Sequence, residues 1–112
     1  MDGGDQAGWS EGTMTVECKS LEEVRSNIDR LDRAIIPLLA ERGAYVLQAA
    51  RFKPDAADVP APARVEDVIR NALKLAREHG AMPDVVEKTY RAMIAAFIAA
   101  EQREHQEVWK SR

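Results

Sequence analysis

Apolar residues recur along the first half of the chain with the spacing of one long amphipathic helix. They fall alternately four and three residues apart, at Val24, Ile28, Leu31, Ile35 and Leu38. Such spacing is typical of a helix that packs along an extended seam. Ser20 and Glu23 can form a capping box at its start. The pattern runs to Lys53 and is ended by Pro54, and we expect a kink at Pro37 because proline lacks an N–H group.

Two shorter periodic stretches predict a second and a third helix. The second begins near Pro62, which suits a first helical turn, and stops at Gly80. The third opens at Asp84, with Glu87 as another possible capping partner. Its polar tail from Gln102 onward is expected to fray, although Trp109 could find a contact there. There is no strand signal, so the sequence predicts an all-α, three-helix protomer with a long first helix.

Composition and charge narrow the class of protein. Residues 1–18 are rich in glycine and short polar side chains, which predicts a disordered leader before one helical domain over 19–112. The net charge of −3 gives no electrostatic reason to bind nucleic acid, and no apolar run approaches the ~20 residues of a membrane span. A single cysteine excludes an intrachain disulfide, and the first residues lack a signal peptide's apolar core, so we expect a cytoplasmic protein.

The length of the first helix predicts a dimer. About 33 residues in one helix span about 50 Å, whereas a compact domain of about 100 residues has a radius of gyration of only about 13 Å. Two shorter helices cannot cover both ends of such a helix, so we expect a second chain to cover the rest in an intertwined homodimer. The alternative is a monomer in which Pro37 breaks the first helix into two packed pieces.

Two charged residues fall on otherwise apolar helix faces. Arg42 lies four residues after Leu38 in the stripe of the first helix, where a cation needs an anionic partner. Glu101 lies four residues after Phe97 and continues the face of the third helix. Burial there would favour the neutral acid, which can donate a hydrogen bond. The alternatives are an arginine that reaches solvent or pairs with a carboxylate, and a solvated glutamate in a fraying helix.

Three further cations can join the same site. Lys53 and Arg64 flank the 54–61 loop and could close it over an anion. Arg25 precedes Arg42 by about 25 Å along one helix, so the two could share a small ligand only if Arg25 reaches a site of the other chain in a two-fold dimer. The alternative for Lys53 and Arg64 is ordinary surface charge, and the alternative for Arg25 is an exposed pair with Asp29 or Asp32. Together the charges predict a small dicarboxylate ligand in an apolar helical interior.

The chain also resembles a known family. The resemblance to the all-α chorismate mutases is carried by the run EVRSNIDRLDRAIIPLLAERGAYVLQAARFK, with Arg-x-x-Ile-Asp-x-Leu-Asp from Arg25 and Arg-Phe-Lys ending at Lys53. The following VPAPARV resembles the isochorismate pyruvate lyases of that family, which make salicylate. The resemblance covers about residues 20–105. It implies a three-helix protomer that dimerises through the first helix and has two equivalent active sites.

By position, the resemblance implies roles for the four cations. Arg25 matches the arginine donated across the dimer, and Arg42 matches the arginine that holds a substrate carboxylate. Lys53 matches the lysine near the ether oxygen, on a mobile loop, and Arg64 matches a second carboxylate-binding cation. These residues therefore form the candidate substrate site.

Glu101 and Gln102 compete for one further catalytic position. When the chain is matched to the family without gaps, Glu101 falls at the position where bacterial members carry glutamine and fungal mutases carry glutamate. A shift of one residue places Gln102 there instead. Glu101 is favoured because it lies on the apolar face of the third helix. Glu101 in turn favours a mutase, whereas Val65, at a position where many mutases carry glutamate, favours a lyase.

We therefore expect a chorismate mutase that forms prephenate, with an isochorismate pyruvate lyase giving salicylate and pyruvate as the alternative. A catalytically idle helical dimer that binds a ligand or partner is the third possibility. Neither reaction needs a cofactor. No metal site is expected, because Glu101 and His105 form only a weak pair with no third ligand.

Overall fold

Three α-helices account for most of the chain. The computed structural model describes residues 15–110, and residues 1–14 of the predicted leader lie outside them. The helices are α1 (Leu21–Ala49), α2 (Pro62–His79) and α3 (Pro83–Lys110), and two short 3₁₀ turns, Ala50–Phe52 and Ala56–Asp58, lie between α1 and α2. The described residues contain no strand, which confirms the all-α, three-helix prediction.

The start of α1 is fixed by its predicted capping residues. Ser20 Oγ accepts a hydrogen bond from the Glu23 N–H at 3.1 Å. The Glu23 carboxylate accepts from the Lys19 N–H at 2.6 Å, one residue earlier than a capping box requires. α1 then runs unbroken through Pro37. The alternative in which Pro37 splits the first helix into two packed pieces is therefore wrong.

At its C-terminal end α1 is shorter than predicted. The α-helix stops at Ala49, and a 3₁₀ turn follows over Ala50–Phe52. The Ala50 N–H donates to the carbonyl of Leu47, three residues back, and this tighter spacing ends the α-helical pattern. Lys53 has extended backbone, with φ −115° and ψ 96°. The chain therefore leaves the helical conformation at the residue that the sequence singles out.

The boundaries of α2 match the prediction, and α3 begins slightly early. Pro62 lies in the first turn of α2, and Gly80 caps its end with φ 71°, in the left-handed region that favours glycine. α3 begins at Pro83, one residue before the predicted Asp84. Proline suits this first position because its φ is already helical and its missing N–H has no helical partner there.

The predicted fraying of α3 after Gln102 is wrong. The helix continues to Lys110, and His105 is buried within this segment. The Trp109 indole N–H donates to the main-chain oxygen of Ala50 at 2.9 Å. The polar residues of this tail remain helical because some of them meet partners at the end of α1.

α3 is the central element of the protomer. Within the described residues, α1 and α2 each pack on α3 and not on one another. The buried apolar residues are Ala50, Val59, Ile69, Ala72, Ala76 and Ile94, whereas α1 itself buries none. The protein is elongated, with extents of 60 × 25 × 20 Å. Among the described helices, none combines the length and apolarity needed to cross a membrane.

Candidate active site

A cavity of about 340 Å³ lies where the end of α1, the 53–61 loop, the start of α2 and the middle of α3 meet. Its charged lining residues are Arg42, Lys53, Arg64 and Glu101. The other lining residues are Tyr45, Val46, Ala49, Val59, Pro60, Ala61, Val65, Val68, Ile94, Phe97 and Ile98. A mostly apolar wall with a few convergent charges is typical of a small-molecule site. Four of the six site residues predicted from the sequence are therefore brought together here.

Lys53 and Glu101 form the central polar contact of the cavity. The Lys53 Nζ donates to Glu101 Oε2 at 2.7 Å and to the main-chain oxygen of Val59 at 3.3 Å. Glu101 is only 4% exposed, so the alternative of a solvated glutamate in a fraying helix is wrong. In such a pair each charge offsets the lost solvation of the other. The ammonium is thereby held at the cavity wall.

Arg42 packs against an aromatic ring in the same wall. Its guanidinium lies over the Phe97 ring, 5.3 Å from the centroid, which is a cation–π contact. Among the described residues no carboxylate pairs with Arg42, so its N–H donors can serve a ligand. A Cβ at Gly43 would lie 2.9 Å from Phe97 Cε1. Glycine at this position therefore allows the ring to approach α1 and support Arg42.

Arg64 lines the cavity from the first turn of α2 and is exposed to solvent. Ala61, immediately before α2, has φ 42° and ψ 65°. This left-handed conformation is uncommon for a residue with a Cβ. Strain of this kind is concentrated at functional sites in proteins. Here it lies in the short connection between the Lys53 loop and the helix that carries Arg64.

Two predicted site residues lie outside the cavity. Gln102 is exposed on α3 and does not line it, so the structure brings Glu101 rather than Gln102 to the wall. Arg25 is exposed near the start of α1, about 25 Å along the helix from Arg42. Within one chain, Arg25 therefore cannot share a small ligand with Arg42.

Two residues lie behind the cavity with partners that the sequence did not predict. The Nε2–H of His105 donates to the main-chain oxygen of Lys53, and Trp109 donates to that of Ala50. A signal was present, because Glu101, His105 and Trp109 are spaced four residues apart and share one face of α3. The polar composition around them concealed this face.

The balance of charge in the cavity favours an anionic ligand. Three cations and one carboxylate line it, so a small organic acid with two carboxylates would leave the site close to neutral. Within residues 15–110 there is no cluster of three or more His, Cys, Asp or Glu side chains suited to hold a metal ion.

Comparison with known proteins gives a family for this arrangement. The family model for chorismate mutase type II matches residues 24–102, from α1 to the turn of α3 that carries Glu101. The chain is also similar to the isochorismate pyruvate lyase of Pseudomonas aeruginosa. The two are 36% identical over 83 residues, which cover 74% of this chain and 82% of the relative. These matches confirm the resemblance seen in the sequence, and the protein belongs to the chorismate mutase type II family.

Proposed function

We propose that the protein is a chorismate mutase, which rearranges chorismate to prephenate without a cofactor. The observation that carries the proposal is the Lys53 ammonium, held by Glu101 and the Val59 carbonyl in an apolar cavity that two arginines also line. Membership of the chorismate mutase type II family supports the reaction class.

The rearrangement needs positioning rather than chemical attack. Chorismate carries two carboxylates and an enolpyruvyl ether. One C–O bond breaks while one C–C bond forms, so no nucleophile or metal takes part. A cavity that holds the enolpyruvyl chain over the ring provides the reactive geometry. Arg42 and Arg64 line the cavity from two different helices, which suits two separate carboxylates.

Lys53 has the main electrostatic role in this proposal. Negative charge builds on the ether oxygen as the C–O bond breaks, and a preorganised donor there stabilises the transition state more than the substrate. An ammonium has three N–H donors, and two are used by Glu101 and Val59. The third can therefore serve the ether oxygen.

Glu101 has a second role in the proposal. In its contact with Lys53 it accepts a hydrogen bond, which an ionised carboxylate does well. A donor role at the ether oxygen would require the protonated acid instead. We infer that Glu101 acts as the acceptor that orients the Lys53 ammonium toward the ether oxygen.

We further infer that the working form is an intertwined homodimer. The apolar row on α1 is at least 40% exposed at each of Val24, Ile28, Leu31, Ile35 and Leu38. A continuous row of exposed apolar side chains is unfavourable in water, and a second copy of α1 lying alongside would cover it. In such a dimer, Arg25 of one chain can reach the cavity of the other.

The second candidate is an isochorismate pyruvate lyase, which would give salicylate and pyruvate from the same cavity. The Pseudomonas aeruginosa relative carries this name. Val65 lines the cavity, and this apolar residue resembles the lyase pattern. The lyase reaction is an intramolecular hydrogen transfer that also depends on positioning. Glu101, which departs from the glutamine of the lyases, favours the mutase.

Product identity distinguishes the candidates. The purified protein is given chorismate and isochorismate in separate tubes, with Lys53→Ala as the control, and the products are separated by chromatography. Prephenate from chorismate alone supports the mutase, whereas salicylate and pyruvate from isochorismate support the lyase. No product from either substrate would contradict both and favour a ligand- or partner-binding helical dimer.

A further inference from the structure

We infer that His105 and Trp109 are positioning residues, which locate the Lys53 ammonium by holding the main chain of the turn that carries it. Their effect on turnover rests on the proposed function, whereas their hold on Lys53 does not. Both lie beyond residue 102, where the match to the family ends.

The end of α1 leaves main-chain oxygens that need partners. The last carbonyls of an α-helix have no partner within the helix. Ala50 is 0% exposed, so water cannot readily reach its carbonyl. The Trp109 indole N–H donates to that oxygen at 2.9 Å. Loss of this donor would remove a hydrogen bond from a buried acceptor, which is unfavourable enough to shift the turn.

Lys53 is held at both ends by one face of α3. Glu101 accepts from its ammonium, and His105 donates to its main-chain oxygen. A carbonyl oxygen can only accept, so the Nε2 of His105 carries the proton. Glu101 and His105 lie one helical turn apart and are 4% and 5% exposed. The ammonium is therefore located chiefly relative to a rigid helix, with the Val59 carbonyl of the 54–61 loop as a further acceptor.

The two positioning residues also contact each other. The rings of His105 and Trp109 have centroids 5.9 Å apart and planes inclined by 34°. A change at either ring should therefore loosen the other. A role limited to packing would lower stability only, whereas a positioning role changes the reactivity of Lys53 and the turnover number in the folded protein.

Three variants and one control separate these roles. His105→Leu removes the donor to Lys53, and His105→Gln keeps an N–H near the place of Nε2. Trp109→Phe removes the indole N–H but keeps an aromatic ring. Gln106→Leu is the matched control, because Gln106 is exposed on the same segment of α3. Circular dichroism and melting temperature identify any variant that fails to fold, and His105→Gln and Trp109→Phe are the mildest changes.

The first readout is the labelling of Lys53 by acetic anhydride, measured by mass spectrometry relative to Lys74, which is exposed on α2. The Lys53 side chain is 25% exposed and hydrogen-bonded. We expect its labelling to rise about three- to tenfold in His105→Leu and Trp109→Phe, the factor that one lost hydrogen bond represents. His105→Gln and Gln106→Leu should stay close to the wild type. Unchanged labelling in both donor-loss variants would overturn the inference.

The second readout is kcat and KM on the substrate that the wild type turns over. We expect kcat to fall about tenfold in His105→Leu with KM changed less than about twofold, because a displaced ammonium affects the transition state most. Increased labelling with an unchanged kcat would overturn the positioning role. A wild type inactive on both substrates would contradict the proposed function instead, and the labelling alone would then support or overturn the hold on Lys53.

Discussion

The two ends of α1 differ in how their surface is covered. At the C-terminal end, Arg42 packs on Phe97, and the oxygens of Ala50 and Lys53 receive donors from α3. Further toward the N-terminus, the apolar row from residue 24 to residue 38 stays exposed. One chain therefore completes the Lys53 side of the cavity by itself. The exposed row is the part for which we propose a second copy of the chain.

The largest expected effect on turnover is at the C-terminal end of α1, where one chain completes the Lys53 side of the cavity. Lys53→Ala should lower turnover about 10²- to 10³-fold, the usual consequence of losing one donor to a developing negative charge. The helical fold should persist, but the melting temperature should fall because the Glu101 carboxylate, which is 4% exposed, loses its partner. Turnover and far-ultraviolet circular dichroism check these statements. Lys74→Ala, at an exposed position on α2, is the control, and near-normal turnover in Lys53→Ala would remove this residue from the mechanism.

The proposed dimer contact is tested by placing a charge in the exposed apolar row of α1. Leu31→Asp should weaken association by at least about 100-fold, because each copy loses an apolar side chain worth about 1.5–3 kcal/mol and gains a desolvated carboxylate. Leu75→Asp is a matched control, since Leu31 and Leu75 are 47% and 46% exposed. Analytical ultracentrifugation should find a dimer in the wild type and control and a monomer in Leu31→Asp. A monomeric wild type would contradict the dimer proposal.

Complementation between two inactive variants tests whether Arg25, near the start of α1, acts in the cavity of the other chain. Arg25→Ala and Lys53→Ala should each be nearly inactive alone. If Arg25 acts across the dimer, a mixed dimer has one site with both residues intact and one with neither. Unfolding and refolding an equal mixture should therefore restore roughly a quarter of wild-type activity. If Arg25 acted within its own chain, every site would lack one residue and no activity would return.

The two ends also differ in how far the sequence predicts them. The exposed row follows from local spacing, as do the Ser20 and Gly80 caps. Arg42 and Glu101 were recognisable because a charge on an apolar helix face is a local anomaly. The partners of His105 and Trp109 were not predicted, although a contact for Trp109 was, because these contacts join residues 52 and 59 positions apart in the chain. Local periodicity carries no information on which distant carbonyl a polar side chain will meet.

The smallest effect is expected away from both ends of α1, in the exposed contact between α2 and α3. Arg91 on α3 binds Glu66 on α2 at 3.0 Å and also Glu87. The hydrogen bond from Arg91 lowers the pKa of Glu66 below its ordinary value of 4.5. A lowered pKa in the folded state stabilises the protein above the unfolded value, and that contribution is lost as pH falls through the folded value. Because both partners are exposed, the contribution is small.

Glu66→Gln should therefore lower the melting temperature slightly at about pH 7, and the difference should disappear as pH falls through the lowered pKa of Glu66, where the wild-type carboxyl also becomes neutral. Asp67→Asn, at a neighbouring exposed carboxylate that pairs with Arg70 on α2 itself, is the control for the loss of one negative charge. A difference that persisted at low pH would mean that Glu66 acts through packing rather than charge. The α2–α3 contact would then depend on apolar burial alone, as the apolar row on α1 is proposed to do in the dimer.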